Sequence, residues 1–421
     1  MSLTILPFPA RPLTQMLLRH RVSHFSTQLV QLRVTDRKDH VRRQSVLWHL
    51  SWENKQMLCL QIKKTPSASG SLTWLFASFL MFISPQLLAC NIFVSTTGSD
   101  SNSGLTSGNP LQTIQAAADI AINPGDIVCV RPGIYFENNQ AGPGTTIKGI
   151  KPQASGNPGN PIVFQADPNY VGTVVIDQQF ELSAAPSASF DPTDVVGFYV
   201  FAHDHITIRG FEIRNVTTGI LTKANNSPQA GGLGAFDPPS FITVENNHIH
   251  SIRRDRAQSG FDSNIGAVRP NDCYDCTIRG NRLHDVALID LSGNDEFDNQ
   301  NSCGIHSFGM LRTVIENNEI FDVHTGVFQK GWTNQPLPGN ANYDFVTPLV
   351  PPAIDPNTDF GMVVRRNLIH NSIWGIRLSP SGGSGRIIAN SGSASGNPAH
   401  HNAQIYENIF YSTDAAVQRF G

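Results

Sequence analysis

Beyond residue 90 the chain holds only four lysines: Lys148, Lys151, Lys223 and Lys330. Two of them close similar phrases, TGILTK (218–223) and TGVFQK (325–330). A lysine whose charge is suppressed by neighbouring cations can take a proton from carbon. On a carboxylate-bearing sugar that chemistry is β-elimination: the proton beside the carboxylate is removed and the 4-linked oxygen leaves. The carboxylate must be neutralised by a metal or a basic side chain to acidify that proton. Lys330 follows Val327 by three residues and directly precedes a long insertion. Two residues before it, Phe328 shares a column with His306 one repeat earlier and Arg377 one repeat later. Lys330, Arg377 and His306 form the candidate catalytic cluster, with a plain surface lysine as the rival reading. Lys223 is the second choice.

Two further groups of residues could bind. The stretch DVALIDLSGNDEFDNQNS (285–302) gathers Asp290, Asp295, Glu296 and Asp298, oxygen donors suited to Ca²⁺. Their spacing is not that of an EF-hand, and a solvated acidic loop is the alternative. In SIRRDRAQ (251–258), Arg253 and Arg254 could hold an acidic polymer or face solvent in a loop.

These residues need a scaffold, and the sequence supplies one by repetition. Setting the apolar residue before each polar turn in one column gives Ile208, Val244, Ile278, Ile315, Val364 and Ile405. Three residues on stand Phe211, Asn247, Asn281, Asn318, Asn367 and Asn408. Two further on stand Ile213, Ile249, Leu283, Ile320, Ile369 and Phe410. Each line alternates apolar and polar, the period of a strand. A second short element pairs a small residue with an apolar one, as in Gly197-Phe198, Gly219-Ile220, Gly266-Ala267, Gly304-Ile305, Gly326-Val327 and Gly375-Ile376. Two of the steps, Gly197 to Gly219 and Gly304 to Gly326, are 22 residues long, and the others are longer. A base period with variable insertions predicts stacked coils whose excess chain leaves as loops.

The columns assign roles. Asparagine at a sharp turn tolerates left-handed backbone, and stacked amides can bond from coil to coil, so the asparagines are scaffold. Arg209, Glu245, Arg279, Glu316 and Arg365 alternate in sign, as neighbouring strands favour. Arg214, His250, His284, Phe321, His370 and Tyr411 form a ridge of rings above Arg214. There His284 and His370 are candidate sugar-stacking residues, and a ridge packed under loops is the preferred alternative.

The stretch 91–137 contains VSTTGSDSNSG, TIQAAADIA and GDIVCVRPGIY, and 144–168 continues with GTTIKGIKPQASGNPGNPIVFQADP. It resembles the opening of pectate-lyase-like right-handed parallel β-helix proteins. The resemblance implies an all-β chain: a right-handed single-stranded parallel β-helix with a short N-terminal capping helix. That helix is expected over 113–122, with Ile114, Ala117, Ala118 and Ile120 inward. The domain is expected over 91–421, ending inside a coil. Calcium-dependent pectate lyases with a lysine base belong to this group, which makes Ca²⁺ the expected cofactor and an acidic polysaccharide the expected partner. A non-catalytic carbohydrate-binding or cell-surface protein is the main alternative. A glycoside hydrolase is a weaker one, because the Gly-His-Gly signature of polygalacturonases is absent.

Charge and cysteines bear on location. Residues 1–64 carry 11 Lys/Arg against 3 Asp/Glu, whereas 65–421 carry 19 against 30. An acidic body gives no general reason to bind nucleic acid. LTWLFASFLMFI (72–83) follows Lys63 and Lys64 and precedes LLAC (87–90), the layout of a secretory signal. LLAC resembles a lipobox, which makes Cys90 a candidate lipid attachment site and a lipid chain the one expected membrane contact. Residues 57–90 are read as the signal and 1–56 as an upstream extension without assigned fold. An exported chain can form disulfides, but Cys276 falls at a core position and is expected as a buried free thiol. The mature protein is expected to be a monomer.

Overall fold

The computed structural model describes residues 89–137, 147–179, 195–225, 237–255, 264–289, 301–308, 310–330, 362–379 and 403–419, besides Trp52–Glu53 and Met57–Leu58. The chain divides into two compact units, 1–87 and 88–421. In the first, Trp52–Glu53 pairs antiparallel with Met57–Leu58. The apolar stretch 72–83 lies outside the described residues. Among those described, no helix is long and apolar enough to cross a membrane.

The second unit is a stack of coils. A nine-stranded sheet starts at Ile92–Val94 and ends at Gln404–Tyr406. It carries Ile208, Val244, Ile278, Ile315, Val364 and Ile405 in direct register. A fourteen-stranded sheet folds over into two limbs. The first limb includes Phe211–Val216, His248–Asp255 and Arg282–His284, and the second includes Val195–Phe201, Thr218–Lys223, Ile265–Pro270 and Ser302–Phe308. Glu319–Lys330, Leu368–Ser379 and Ile409–Arg419 run through both limbs. Every pairing between these coil strands is parallel, and successive parallel crossovers wind right-handed. The result is a right-handed parallel β-helix, whose inward rows merge into one hydrophobic core from Ile92 to Leu378.

Parallel stacking aligns identical turns, and the asparagine column exploits this. The Nδ2 of Asn247 donates to Asn281 Oδ1 (3.1 Å), Asn281 to Asn318 (3.0 Å), Asn318 to Asn367 (2.9 Å) and Asn367 to Asn408 (2.9 Å). Each amide also donates to a main-chain carbonyl of the preceding coil, as Asn318 does to Ile278 O at 2.9 Å. Each Oδ1 accepts the main-chain N–H of the same column in the preceding coil, as Asn318 Oδ1 does from Asn281 N at 3.0 Å and Asn247 Oδ1 from Phe211 N at 3.1 Å. The left-handed backbone falls one residue earlier than expected, at Gly210, Asn246, Gly280, Asn317, Arg366 and Glu407. The ladder therefore selects asparagine for its amide, and the preceding residue makes the turn. The alternating charges form ion pairs alongside: Arg209–Glu245 (3.3 Å), Arg279–Glu245 (2.6 Å) and Arg365–Glu316 (2.7 Å).

The small-residue column corrects in one place. Thr218 pairs with Gly266 and Ile220 with Val268, so Ala267 stands in the column and Gly266 one step before it. The column runs Gly197, Gly219, Ala267, Gly304, Gly326, Gly375. A Cβ on Gly304 would lie 2.3 Å from Ile320 Cγ2. Small residues here admit the isoleucines of the first limb into the core.

The capping helix spans Ile114–Ile120, with Thr113 as N-cap. Ile114, Ala117 and Ala118 are buried as expected, but Ile120 is exposed and Ala121 takes the inward place. The Glu137 carboxylate receives the N–H groups of Ile114 (2.6 Å) and Gln115 (3.2 Å). Burial pushes this carboxyl up to about 7, against the pull of the two amides and with some help from Asp100 and Asp119. A carboxyl raised on folding keeps its proton in the folded state where the unfolded chain has lost it. Stability contributed here is present below about 4.5 and is lost as pH rises towards about 7.

Two outcomes follow from these contacts. Asn318→Ala should cost about 2–4 kcal/mol in urea unfolding, because it strands buried partners on both sides, whereas Glu316→Ala should cost about 1 kcal/mol or less. In thermal scans, Glu137→Gln should remove much of the decline in wild-type stability between about pH 5 and about pH 7; identical slopes in the two proteins would contradict the cap assignment.

Candidate functional site

The register brings the expected catalytic column together on the outer side of the second limb. His306 pairs with Phe328 and Phe328 with Arg377. Two residues on, Phe308 pairs with Lys330 and Lys330 with Ser379. Lys223, the second choice, ends Thr218–Lys223 opposite Phe201. The Arg377 guanidinium lies 5.0 Å from the Phe328 ring centre and 5.5 Å from that of Trp374. Cations favour such ring faces, and Arg can stack on them. Burial holds the Arg377 guanidinium below its ordinary basicity, partly offset by Cys303. His306 is 0% exposed and meets Phe308 (5.1 Å) and Phe328 (5.6 Å) edge-on. It stands beside the Phe328 ring on the neighbouring rung and, being buried, offers no surface to a ligand.

The expected polymer-binding residues divide. Arg253 is tied to the Asp285 carboxylate and to the carbonyls of Asp285 (2.6 Å) and Ile252 (3.0 Å), so its guanidinium closes a turn. Arg254 is half-buried beside Leu288 across the strand pair. The ring ridge forms as a true stack: His250–His284 (5.1 Å), His284–Phe321 (4.5 Å), Phe321–His370 (4.8 Å) and His370–Tyr411 (4.5 Å), with planes within 15°. Phe321 and His370 are buried, while Tyr411 is 49% exposed at one end. Asp290, Asp295, Glu296 and Asp298 lie outside the described residues.

A group that the column reading passed over stands beside this ridge. The residues just after the ladder position are Glu212, His248, Arg282 and Glu319, in register on the outer face of the first limb. Glu212, His248 and His250 offer ligand atoms all within 4.8 Å of one another. The sequence signal was available as two outward residues at i and i+2, in FEIR and HIH.

The cysteines depart from expectation. Cys273 is bonded to Cys276, so Cys276 is not a free thiol; Cys303 is free and buried. Cys90 is bonded to Cys129 on the adjoining strand. A sulfur in a disulfide cannot also carry a thioether-linked lipid, and the structure assigns Cys90 to the bond.

The coil architecture and the helix-capped opening define a right-handed parallel β-helix, and stretches of the chain are similar to pectate lyases. The chain is 30% identical over 182 residues to pectate lyase L of Dickeya chrysanthemi, which covers 43% of this chain and 36% of that protein. It is 35% identical over 128 residues to pectate lyase PEL9 of Emericella nidulans, covering 30% of this chain and 27% of that one. The chain thus spans about a third of the length of the curated relatives it matches. Among solved structures, pectate lyase Pel9A is 16% identical, with a TM-score of 0.38 over 77% of this chain and 78% of that one. No family model matches.

The thiol pattern is directly checkable. Peptide mapping without reduction should recover Cys90–Cys129 and Cys273–Cys276 as linked pairs. Cys303 should be alkylated only after unfolding, and rapid labelling of Cys303 in the native protein would contradict its burial.

Proposed function

We propose that this chain is the β-helix of a polysaccharide lyase that cuts an acidic, uronate-containing polymer by β-elimination. The observation that carries the reading is the likeness to pectate lyase L over 182 residues. The residues proposed for the chemistry, Lys330 and Arg377, stand on adjoining strands of the second limb. Lys330, in its neutral form, removes the proton from the carbon bearing the uronate carboxylate. The Arg377 cation pairs with that carboxylate and stabilises the negative charge that develops on it. The electron pair from the broken C–H bond forms the C4=C5 double bond, the C4–O bond breaks, and the departing oxygen gains a proton. Phe328 and Trp374 hold the Arg377 guanidinium in place, and His306 packs edge-on against Phe328 from the neighbouring rung. His306 is accordingly a positioning residue in this scheme.

Asp290, Asp295, Glu296 and Asp298 would hold calcium, which would supply further positive charge to neutralise the substrate carboxylate, and no step above is routed through it. Export is the companion proposal, supported by the two disulfides, which persist in oxidising compartments.

Purified protein incubated with pectate, alginate and glycosaminoglycans should give the ultraviolet absorbance of an unsaturated product on at least one polymer. Lys330→Ala and Arg377→Ala should each lower kcat/KM by roughly 10²–10³-fold with the fold intact. His306→Ala should act through a shifted KM or reduced stability. No product on any uronate polymer, with or without added calcium, would sink the lyase reading; full activity in Lys330→Ala would remove that residue from it.

A further inference from the structure

We propose that Glu212, His248 and His250 bind one divalent first-row transition ion of the zinc class. The proposal stands on the first limb and is independent of the lyase reading.

The geometry comes from the coil stack. Glu212 and His248 are opposite each other on neighbouring strands, and His250 follows His248 by two residues on the same outer face. Neighbouring strands lie about 4.8 Å apart. Three side chains from such positions converge, and here their donor atoms lie within 4.8 Å of one another. Zinc bonds of about 2.0–2.2 Å place tetrahedral donors about 3.4 Å apart, a gap that small side-chain rotations close. The site is partly open: the side chains of His250 and Glu212 are 17% and 18% exposed.

The surroundings orient the donors. His250 Nδ1 lies 3.0 Å from Ser251 Oγ, and Ser251 Oγ donates to Asp285 Oδ2 at 3.3 Å. A ring whose Nδ1–H is engaged this way presents the Nε2 lone pair, as metal-binding imidazoles commonly do. That Nε2 faces Glu212 Oε1 at 3.4 Å. Arg214 also donates to Oε1 (3.0 Å), so both contacts fall on the same one of the two Glu212 oxygens. His284 places its Nε2 2.8 Å from that of His248 and so borders the group without belonging to it.

The adjacent cations are paired, Arg214 with Asp177 (2.9 Å) and with Glu212 itself (3.0 Å), and Arg282 with Glu319 (3.0 Å). Two imidazoles and one carboxylate select zinc, cobalt, nickel or copper, whereas calcium takes oxygen donors. Because the ligands come from two successive coils, the ion would clamp those coils together.

Calorimetry on the chelator-treated full chain should show saturable binding of one Zn²⁺, undiminished by excess Ca²⁺. Co²⁺ should give visible absorption bands that Zn²⁺ abolishes. His248→Ala and His250→Ala should each weaken Zn²⁺ binding at least tenfold, and Glu212→Gln, which preserves shape, should weaken it measurably. His203→Ala, outside this group, should leave Zn²⁺ affinity unchanged. Far-ultraviolet dichroism and the thermal midpoint confirm that each variant is folded. No saturable Zn²⁺ binding in the wild type overturns the proposal, as does unchanged affinity in folded His248→Ala and His250→Ala.

Discussion

The structure depends on parallel coils keeping a common register, and buried amides fix it at the turn between the nine-stranded sheet and the first limb. A hydrophobic row alone would tolerate sliding, since one isoleucine packs much like the next. A buried asparagine does not, because its Nδ2 needs an acceptor both in the following coil and in the preceding one. Asn247, Asn281, Asn318 and Asn367 each meet that demand on both sides. A one-step slip would leave several buried polar groups without partners, at about 1–3 kcal/mol each. The amide ladder therefore specifies which residues share a column.

Function follows from that specification. Loops can leave the stack at strand ends without disturbing it, so residues distant in sequence become neighbours on a rigid face. Phe328 meets Arg377 across 49 residues of sequence, and His306 across 22, because their strands are adjacent rungs. On the first limb the same logic sets Glu212 beside His248 and the histidines beside one another. Both faces use strands rather than loops to hold side chains, which favours preorganised geometry.

What could be read from the residues alone was the repetition. Alternating apolar positions, the asparagines and the alternating charges each marked a column, and the structure keeps those columns in register. The slip at Gly266-Ala267 arose because both residues are small, and only the pairing of Thr218 with Gly266 decides between them. The left-handed turn was assigned one residue late because asparagine suits both a turn and a ladder. The Cys90–Cys129 bond was hidden because it joins strands on either side of the capping helix. The Glu212–His248–His250 group was missed because attention to apolar columns passed over the polar one beside the ladder.

The most direct test of the central claim is residue-resolved hydrogen exchange across the turns. The main-chain amides of Asn247, Asn281, Asn318 and Asn367 each donate at 3.0 Å to the asparagine of the next coil. They should be among the slowest to exchange, matching the inward strand residues. Exchange of these four amides far faster than that of the inward strand residues would mean that the ladder does not hold the coils, and the columns built on it would lose their support.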